Sequence, residues 1–233
     1  MSRDLPILFS GSMVRAILRE IEQPGTGKTQ TRRVLKPLPR RTIFFDQATA
    51  GQEQFQEPRY SAGDRLYVRE AHYLTDDGDY EQAVFAADTD AVADHLATIT
   101  RLESSHPTVD WSRHKRLRQS IHMPRWASRI TLIVTSVRVQ RLQKISREDA
   151  MAEGVVQTWG DFMGEPPMWA VASINRHGDA SGSHIYDNRT SVENFRELWN
   201  HINADRGHGW DANPWVAAYT FQPILGNIDQ VAL

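Results

Sequence analysis

The sequence predicts an α+β fold, a small closed or half-closed β-barrel decorated by helices. Strand-like runs are separated by isolated helices, and their apolar residues alternate as in antiparallel sheets, with few βαβ units. The longest run, 130–142, also changes the parity of its apolar face midway, as a strand does at a bulge or barrel corner. The 233 residues suit one large domain, and 40% hydrophobic residues with seven Trp and eight Phe supply a core that folds without staples.

Leu5 to Phe9 is a short apolar run suited to a buried strand, and it stops at Ser10-Gly11-Ser12. Val14, Ile17, Leu18 and Ile21 then recur at helical spacing, with Ser12 as N-cap and Pro24-Gly25-Thr26-Gly27 as the stop. Thr31 to Leu35 and Thr42 to Phe45 read as extended. Gly63-Asp64 turns into Arg65-Leu66-Tyr67-Val68-Arg69, where Leu66 and Val68 share one face. In the long strand the apolar face is Ile130, Leu132 and Val134, then Val137 and Val139. Ser146-Arg147-Glu148-Asp149 resembles a capping box, with Gly154 as the C′ stop of a short helix over 147–153. Val192, Phe195, Leu198, Trp199 and Ile202 mark a second helix capped by Ser191, and a strand from Trp215 to Phe221 closes the chain. Residues 157–189, rich in Gly, Pro, Ser and Asp without a clean period, read as an insertion or long loop.

The absence of Cys excludes disulfide scaffolds, thiolate nucleophiles and Cys-ligated zinc, base deaminases of that type among them. No apolar run approaches the roughly 20 residues that cross a bilayer, and Met1-Ser2-Arg3-Asp4 is not followed by the apolar stretch of a signal peptide. A soluble, cytoplasmic protein without membrane contact is expected. Charge falls in blocks. Residues 23–45 hold six basic residues and no acid, 46–94 hold twelve acids against three arginines, and 101–141 hold nine basic residues against Glu103 and Asp110. If the basic blocks converge they form a positive groove suited to a polyanion; otherwise they are solvated faces.

Gly25-Thr26-Gly27-Lys28-Thr29 is not a P-loop, because Glu22 stands where the first glycine belongs and the segment follows a helix. The nine His show no ligand spacing, so no metal and no cofactor are expected. Gly11-Ser12-Met13 lacks the flanking glycines of a nucleophile elbow. Trp111 and Trp126 lie among Arg113, Lys115, Arg116, Arg118 and Arg125, an interleaving that suits base stacking with phosphate contacts, although a Trp packs into a core by default.

Lys28-Thr29-Gln30-Thr31-Arg32-Arg33, following an amphipathic helix and followed in turn by the Gly63-Asp64 strand through Arg69-Glu70, resembles the ASCH family of PUA-like barrels. Ser120-Ile121-His122-Met123-Pro124-Arg125-Trp126-Ala127-Ser128-Arg129 is similar to the longer, phage- or prophage-encoded members. The short helix at 147–153 and the closing strand match in order and character. The resemblance covers about 5–70, 120–155 and 192–222. It implies a single ASCH/PUA-like domain over 1–233 with insertions at about 72–119 and 157–190.

Small bacterial members include amidohydrolases that remove acyl groups from the exocyclic amine of cytidine with a Lys, a Thr and a Glu. Carried over, these are Lys28, Thr31 and Glu153, the last by helix alignment. Metal-free amide hydrolysis needs a nucleophile, a base and an acid: Thr31 as nucleophile, Lys28 as base once burial and Arg32 or Arg33 lower its pKa, and Glu153 at a helix C-terminus as acid. Residues three apart on a strand face opposite ways, so Lys28 and Thr31 meet only across a turn or bulge. Arg32, Arg33, Arg69, Glu70, His122, Arg125 and Trp126 are the candidate substrate-binding residues, and the expected partner is a modified nucleoside. The other reading is a PUA-like module that binds RNA, single-stranded nucleic acid or a nucleotide through the basic groove without reaction; a ribonuclease is a third.

Overall fold

The computed structural model of the chain describes residues 2–36, 56–76, 81–106, 108, 110–158, 168–170 and 190–231. The first apolar run is β1 (Asp4–Leu8), and helix α1 (Gly11–Glu22) follows. Gly11 already belongs to α1, so Ser10 and not Ser12 is its N-cap. Three further strands are β2 (Gln30–Val34), β3 (Arg65–Arg69) and β4 (His72–Asp76). After β5 (Glu81–Phe85) come α2 (Thr89–Ser105) and the single turn α3 (Ser112–Lys115). The long strand is β6 (Ile130–Arg141), followed by α4 (Arg147–Ala152), β7 (Val156–Thr158) and β8 (Met168–Ala170). Helix α5 (Ser191–Asn203) and strand β9 (Trp215–Leu225) complete the order. The expected extended run 42–45 and most of the expected loop 157–189 lie outside the described residues.

The architecture is α+β: a five-stranded sheet in the order β1-β3-β6-β9-β2 and two two-stranded sheets, β4-β5 and β7-β8. β1 pairs parallel to β3, and the other pairs of the large sheet are antiparallel. Among the described residues the ladder does not close into a barrel, which corrects the closed form of the expectation, because β1 and β2 are its two edges. Pro6 in β1 has no N–H to offer a further strand, and its carbonyl accepts from Tyr60 Oη at 2.8 Å. Among the described residues the hydrogen bond across the gap comes from a side chain, Arg33 Nη2 donating to Leu8 O at 2.9 Å.

The parity switch in β6 is a register shift between Val134 and Ser136 opposite β9. It keeps Ile130, Leu132 and Val134 in the core under α1 and packs Val137 against the same core, whereas Val139, expected on that apolar face, is 48% exposed. β9 is covered on both faces, by the α1 core through Ala217, Tyr219 and Phe221 and by the α4–α5 core through Val216. That double burial gives it a continuous apolar run. Ser146 caps α4 by accepting from Asp149 N, and Gly154 ends it at φ +94°. For α5 the cap is Thr190, one residue before the expected Ser191, because Glu193 completes a capping box only with Thr190. The segment 72–119 carries β4, β5, α2 and α3, and no helix among the described residues is long and apolar enough to cross a membrane.

Candidate functional site

The chain leaves α1 through a turn and returns to the sheet at Lys28, whose N–H donates to Ala16 O at 3.0 Å. Gly27 is required here by close approach, since a Cβ on it would lie 2.3 Å from Ala16 O. Lys28 is fully buried and spans to the end of α4. Its Nζ donates to Glu153 Oε2 at 2.7 Å and to the Glu153 carbonyl at 2.8 Å, placing a cation on the helix C-terminus. Arg32 Nη1 donates to the other Glu153 oxygen at 2.9 Å and Arg32 Nη2 to Asp149 at 2.8 Å. Arg138 and Gln30 complete the shell of Asp149 at 2.6 and 3.2 Å. Ala218 lies between Arg32 and Arg138 in the sheet register, and its methyl leaves both guanidiniums room to converge on Asp149.

Burial pulls the Lys28 ammonium below its ordinary value; Glu153 opposes that, and Arg33 and Arg32 reinforce it. Burial raises the Asp149 carboxyl, but hydrogen bonds from Arg138 and Gln30 and the Arg32 charge hold it below the usual carboxylate range. Arg32 keeps one buried atom, Nε, without a hydrogen-bond partner among the described residues.

This network borders a cavity of about 910 Å³, a size suited to a small-molecule ligand. Thr31, Arg32, Arg33 and Glu153 line it together with the aromatic rings of Tyr60, Phe195, Trp199 and Tyr219. Lys28 does not reach its surface. Thr31 is paired in register with Tyr219 and therefore shares that face of β2 with Arg33, whereas Arg32 projects to the Glu153 side. Both faces meet one cavity because β2 is an edge strand and the space opens over its unpaired edge toward Leu8. No described residue hydrogen-bonds to the Thr31 hydroxyl.

The structure thus brings Lys28, Thr31, Glu153, Arg32 and Arg33 to one region. The other five candidates do not line this cavity. Arg69 donates to the carbonyls of Met123 and Ile121 at 2.7 and 2.5 Å. Glu70 is buried against Arg129 at 2.9 and 3.1 Å, and Arg129 also holds Asp88 at 2.6 and 3.0 Å. Arg125 is paired with Asp4 at 2.7 Å and Asp229 at 2.5 Å and stacks over Tyr67. Trp126, 48% exposed, edges a shallow depression beside Leu225, and His122 lines a separate recess. The two basic blocks therefore border cavities that share no residue.

Asp149 and the four aromatic rings, Tyr60, Phe195, Trp199 and Tyr219, are among the site residues that sequence reasoning missed. Asp149 carried only its capping-box signal, Phe195 and Trp199 read as the apolar face of a helix, Tyr219 lay within an expected strand, and no local signal marked Tyr60. Among the described residues no group of three or more His, Asp or Glu is placed to hold a metal ion. No family model, curated protein or solved structure matches this chain.

Proposed function

We propose that the protein is an amidohydrolase that removes the N4-acyl group from a modified cytidine, as the ASCH resemblance implies, on a PUA-like barrel left open between β1 and β2. The observation that carries this reading is the buried Lys28–Glu153 pair, 2.7 Å long between residues 125 apart in sequence, beside a cavity with Thr31 in its wall. Moving one proton from Nζ to Oε2 converts the ion pair into the neutral amine and carboxylic acid that the chemistry needs, and burial of Lys28 favours that shift. Thr31 Oγ then adds to the acyl carbon as its proton passes through an intervening water to Lys28, which lies behind the cavity wall. The C–N bond breaks as Glu153 protonates the leaving amine, and water hydrolyses the Thr31 ester to the free carboxylic acid. Aromatic walls suit a pyrimidine ring.

Incubation with N4-acetylcytidine and chromatography for cytidine tests it: turnover well above that of Lys28→Ala and Thr31→Ala supports the reading, and equal rates end it. Lys28→Arg keeps the charge but cannot act as a base, so near-native turnover in that variant would reduce Lys28 to an electrostatic anchor. One observation favours the second reading, a binding module: Thr31 faces away from the Arg32–Glu153 side of β2. On that reading Thr31→Ala leaves ligand affinity and every product level unchanged.

A further inference from the structure

We propose that the substrate carries a phosphate group of its own and that Arg33 seats it, so that the Thr31 cavity selects a nucleoside monophosphate over the neutral nucleoside. This rests on the amidohydrolase reading for the amide that is cut, and adds what stands at the other end of the same small molecule.

The cavity holds more positive charge than its walls neutralise. Besides the Arg32–Glu153 pair, its charged lining residues are Arg33, Lys36, Arg59, Arg206 and Glu57, four cations against one carboxylate. Glu57 is exposed, as are Lys36, Arg59 and Arg206, and none of them makes an ion pair among the described residues. Arg33 alone of the four cations is half-buried. Its guanidinium lies 5.3 Å from the centre of the Phe9 ring and gives one hydrogen bond among the described residues, to Leu8 O at 2.9 Å. Burial pulls it below its ordinary value; Glu153, which opposes this, gives its carboxylate oxygens to Lys28 and Arg32 instead. A guanidinium has five N–H donors, so this one is short of acceptors, and an anion in the cavity offsets its loss of water.

The placement fits the far end of a nucleotide. Arg33 stands two residues from Thr31 on the same face of β2, about 6.8 Å along the strand. Its bond to Leu8 O carries the guanidinium across the open edge, away from β9 and from Tyr219, the register partner of Thr31. Tyr219 and Tyr60 meet edge to face at 5.1 Å, so the aromatic wall lies on the Thr31 side and the cation beyond it. An amide at Thr31 and a pyrimidine against Tyr219 leave the sugar and its ester directed toward Arg33. A phosphate dianion engages that fork with two oxygens and presents its second charge to the exposed cations of the same cavity. A single carboxylate on the acyl group would leave those cations unmatched.

Initial rates on N4-acetylcytidine and on its 5′- and 3′-monophosphates test the proposal. The parent is expected to favour at least one monophosphate by about tenfold or more in kcat/KM, chiefly through KM, and to lose part of that preference as salt rises. Arg33→Met should bring phosphorylated and neutral substrates within about twofold of each other, and Arg33→Lys should keep part of the preference. If Arg33 serves only to clasp β1 to β2, Arg33→Met lowers both rates alike and the preference stands, which overturns the proposal. A parent that prefers N4-succinylcytidine and neither monophosphate overturns it too, and assigns the cation to a carboxylate on the acyl group. Calorimetry on the parent with cytidine and its 5′- and 3′-monophosphates needs neither turnover nor a variant. A monophosphate bound about tenfold more tightly than cytidine, without turnover of any acetylated ligand, would defeat the hydrolase reading and leave the phosphate seat standing. Turnover of N4-acetylcytidine with equal rates and affinities for phosphorylated and neutral ligands would do the reverse.

Discussion

Two buried carboxylates, Glu153 and Glu70, have side chains only 5% and 1% exposed, and each takes a guanidinium at 2.9 Å. Around Glu153 and Asp149 three cations face two carboxylates, and the cluster borders the cavity. Around Arg129 two carboxylates share one guanidinium, which also stacks 3.9 Å from the centre of the Phe85 ring. That second cluster fastens the end of β3 to the β5–α2 junction. A buried ion pair is thus no sign of a site by itself. What distinguishes the Glu153 cluster is a surplus of cations, a buried amine and an adjoining cavity lined by its own carboxylate, Glu153, whereas Glu70 lines no such space among the described residues.

The comparison is broken most directly by turnover. Thr31→Ala and Lys28→Ala are expected to lower the rate on N4-acetylcytidine by about three powers of ten or more, as loss of a nucleophile or its base does. Glu70→Gln should stay within a few-fold of the parent. Chromatographic initial rates decide it, and a comparable loss in Glu70→Gln would erase the distinction between the clusters.

Backbone space around Lys28 gives the next effect. A Cβ at Gly27 would lie 2.3 Å from Ala16 O and 2.4 Å from Glu20 N, both backbone atoms. Gly154 has φ +94°, and a Cβ there would meet those of Ala16 at 3.2 Å and Lys28 at 3.3 Å. Gly27→Ala is expected to unfold the chain or displace the 25–30 turn, whereas Gly154→Ala should cost about 1–2 kcal/mol. Urea melts and the rate on N4-acetylcytidine check both.

Much of this arrangement was legible in the chain. The alternation in Arg65–Arg69, the bulge in β6 and the stop at Gly154 follow from local rules, and the structure keeps all three. Closure was not legible, because it depends on whether the edges of β1 and β2 find each other, and no local period encodes that. The site was half legible. Lys28, Thr31 and Arg32 stand within one motif, but Asp149 joins them only through the packing of α4 on the sheet. Arg69, Glu70 and Arg125 looked like ligand residues because charge is visible in sequence and partners are not; Arg129, Asp4 and Asp229 engage Glu70 and Arg125 first.

Stability separates the clusters by a smaller margin. Glu153→Ala leaves Lys28 buried without a carboxylate and Arg32 with Asp149 alone, so a loss of about 3–5 kcal/mol is expected. Glu70→Ala leaves Arg129 paired with Asp88 and partly open to water, and about 1–3 kcal/mol is expected. Denaturant unfolding measures both, and equal losses would mean that the cavity-side network is no more tightly interdependent than the latch.

The smallest effect is a pair of opposite pH slopes. Burial lowers Lys28 in the folded chain, while the unfolded chain titrates near the ordinary value of about 10.4. Between those two values the unfolded state binds more protons, so Lys28 makes the free energy of unfolding rise with pH, and below the folded value its penalty is fully present. Burial raises Glu70, more than Arg129 pulls it down, above the unfolded value of about 4.3. Between those values the folded state binds more protons, so Glu70 makes stability fall as pH rises. Each slope is bounded by about 1.36 kcal/mol per pH unit. Other carboxylates, Asp4 and Asp64 among them, are held low by arginines and slope the opposite way from Glu70, so only differences between variants isolate these two groups. The parent minus Lys28→Met should gain stability with pH on the alkaline side, and the parent minus Glu70→Gln should lose it on the acid side above about 4.3. Urea midpoints across the pH range read both. A flat Lys28 difference would mean that Glu153 fully offsets the burial of the ammonium, and the neutral-amine step proposed for the site would lose its physical basis.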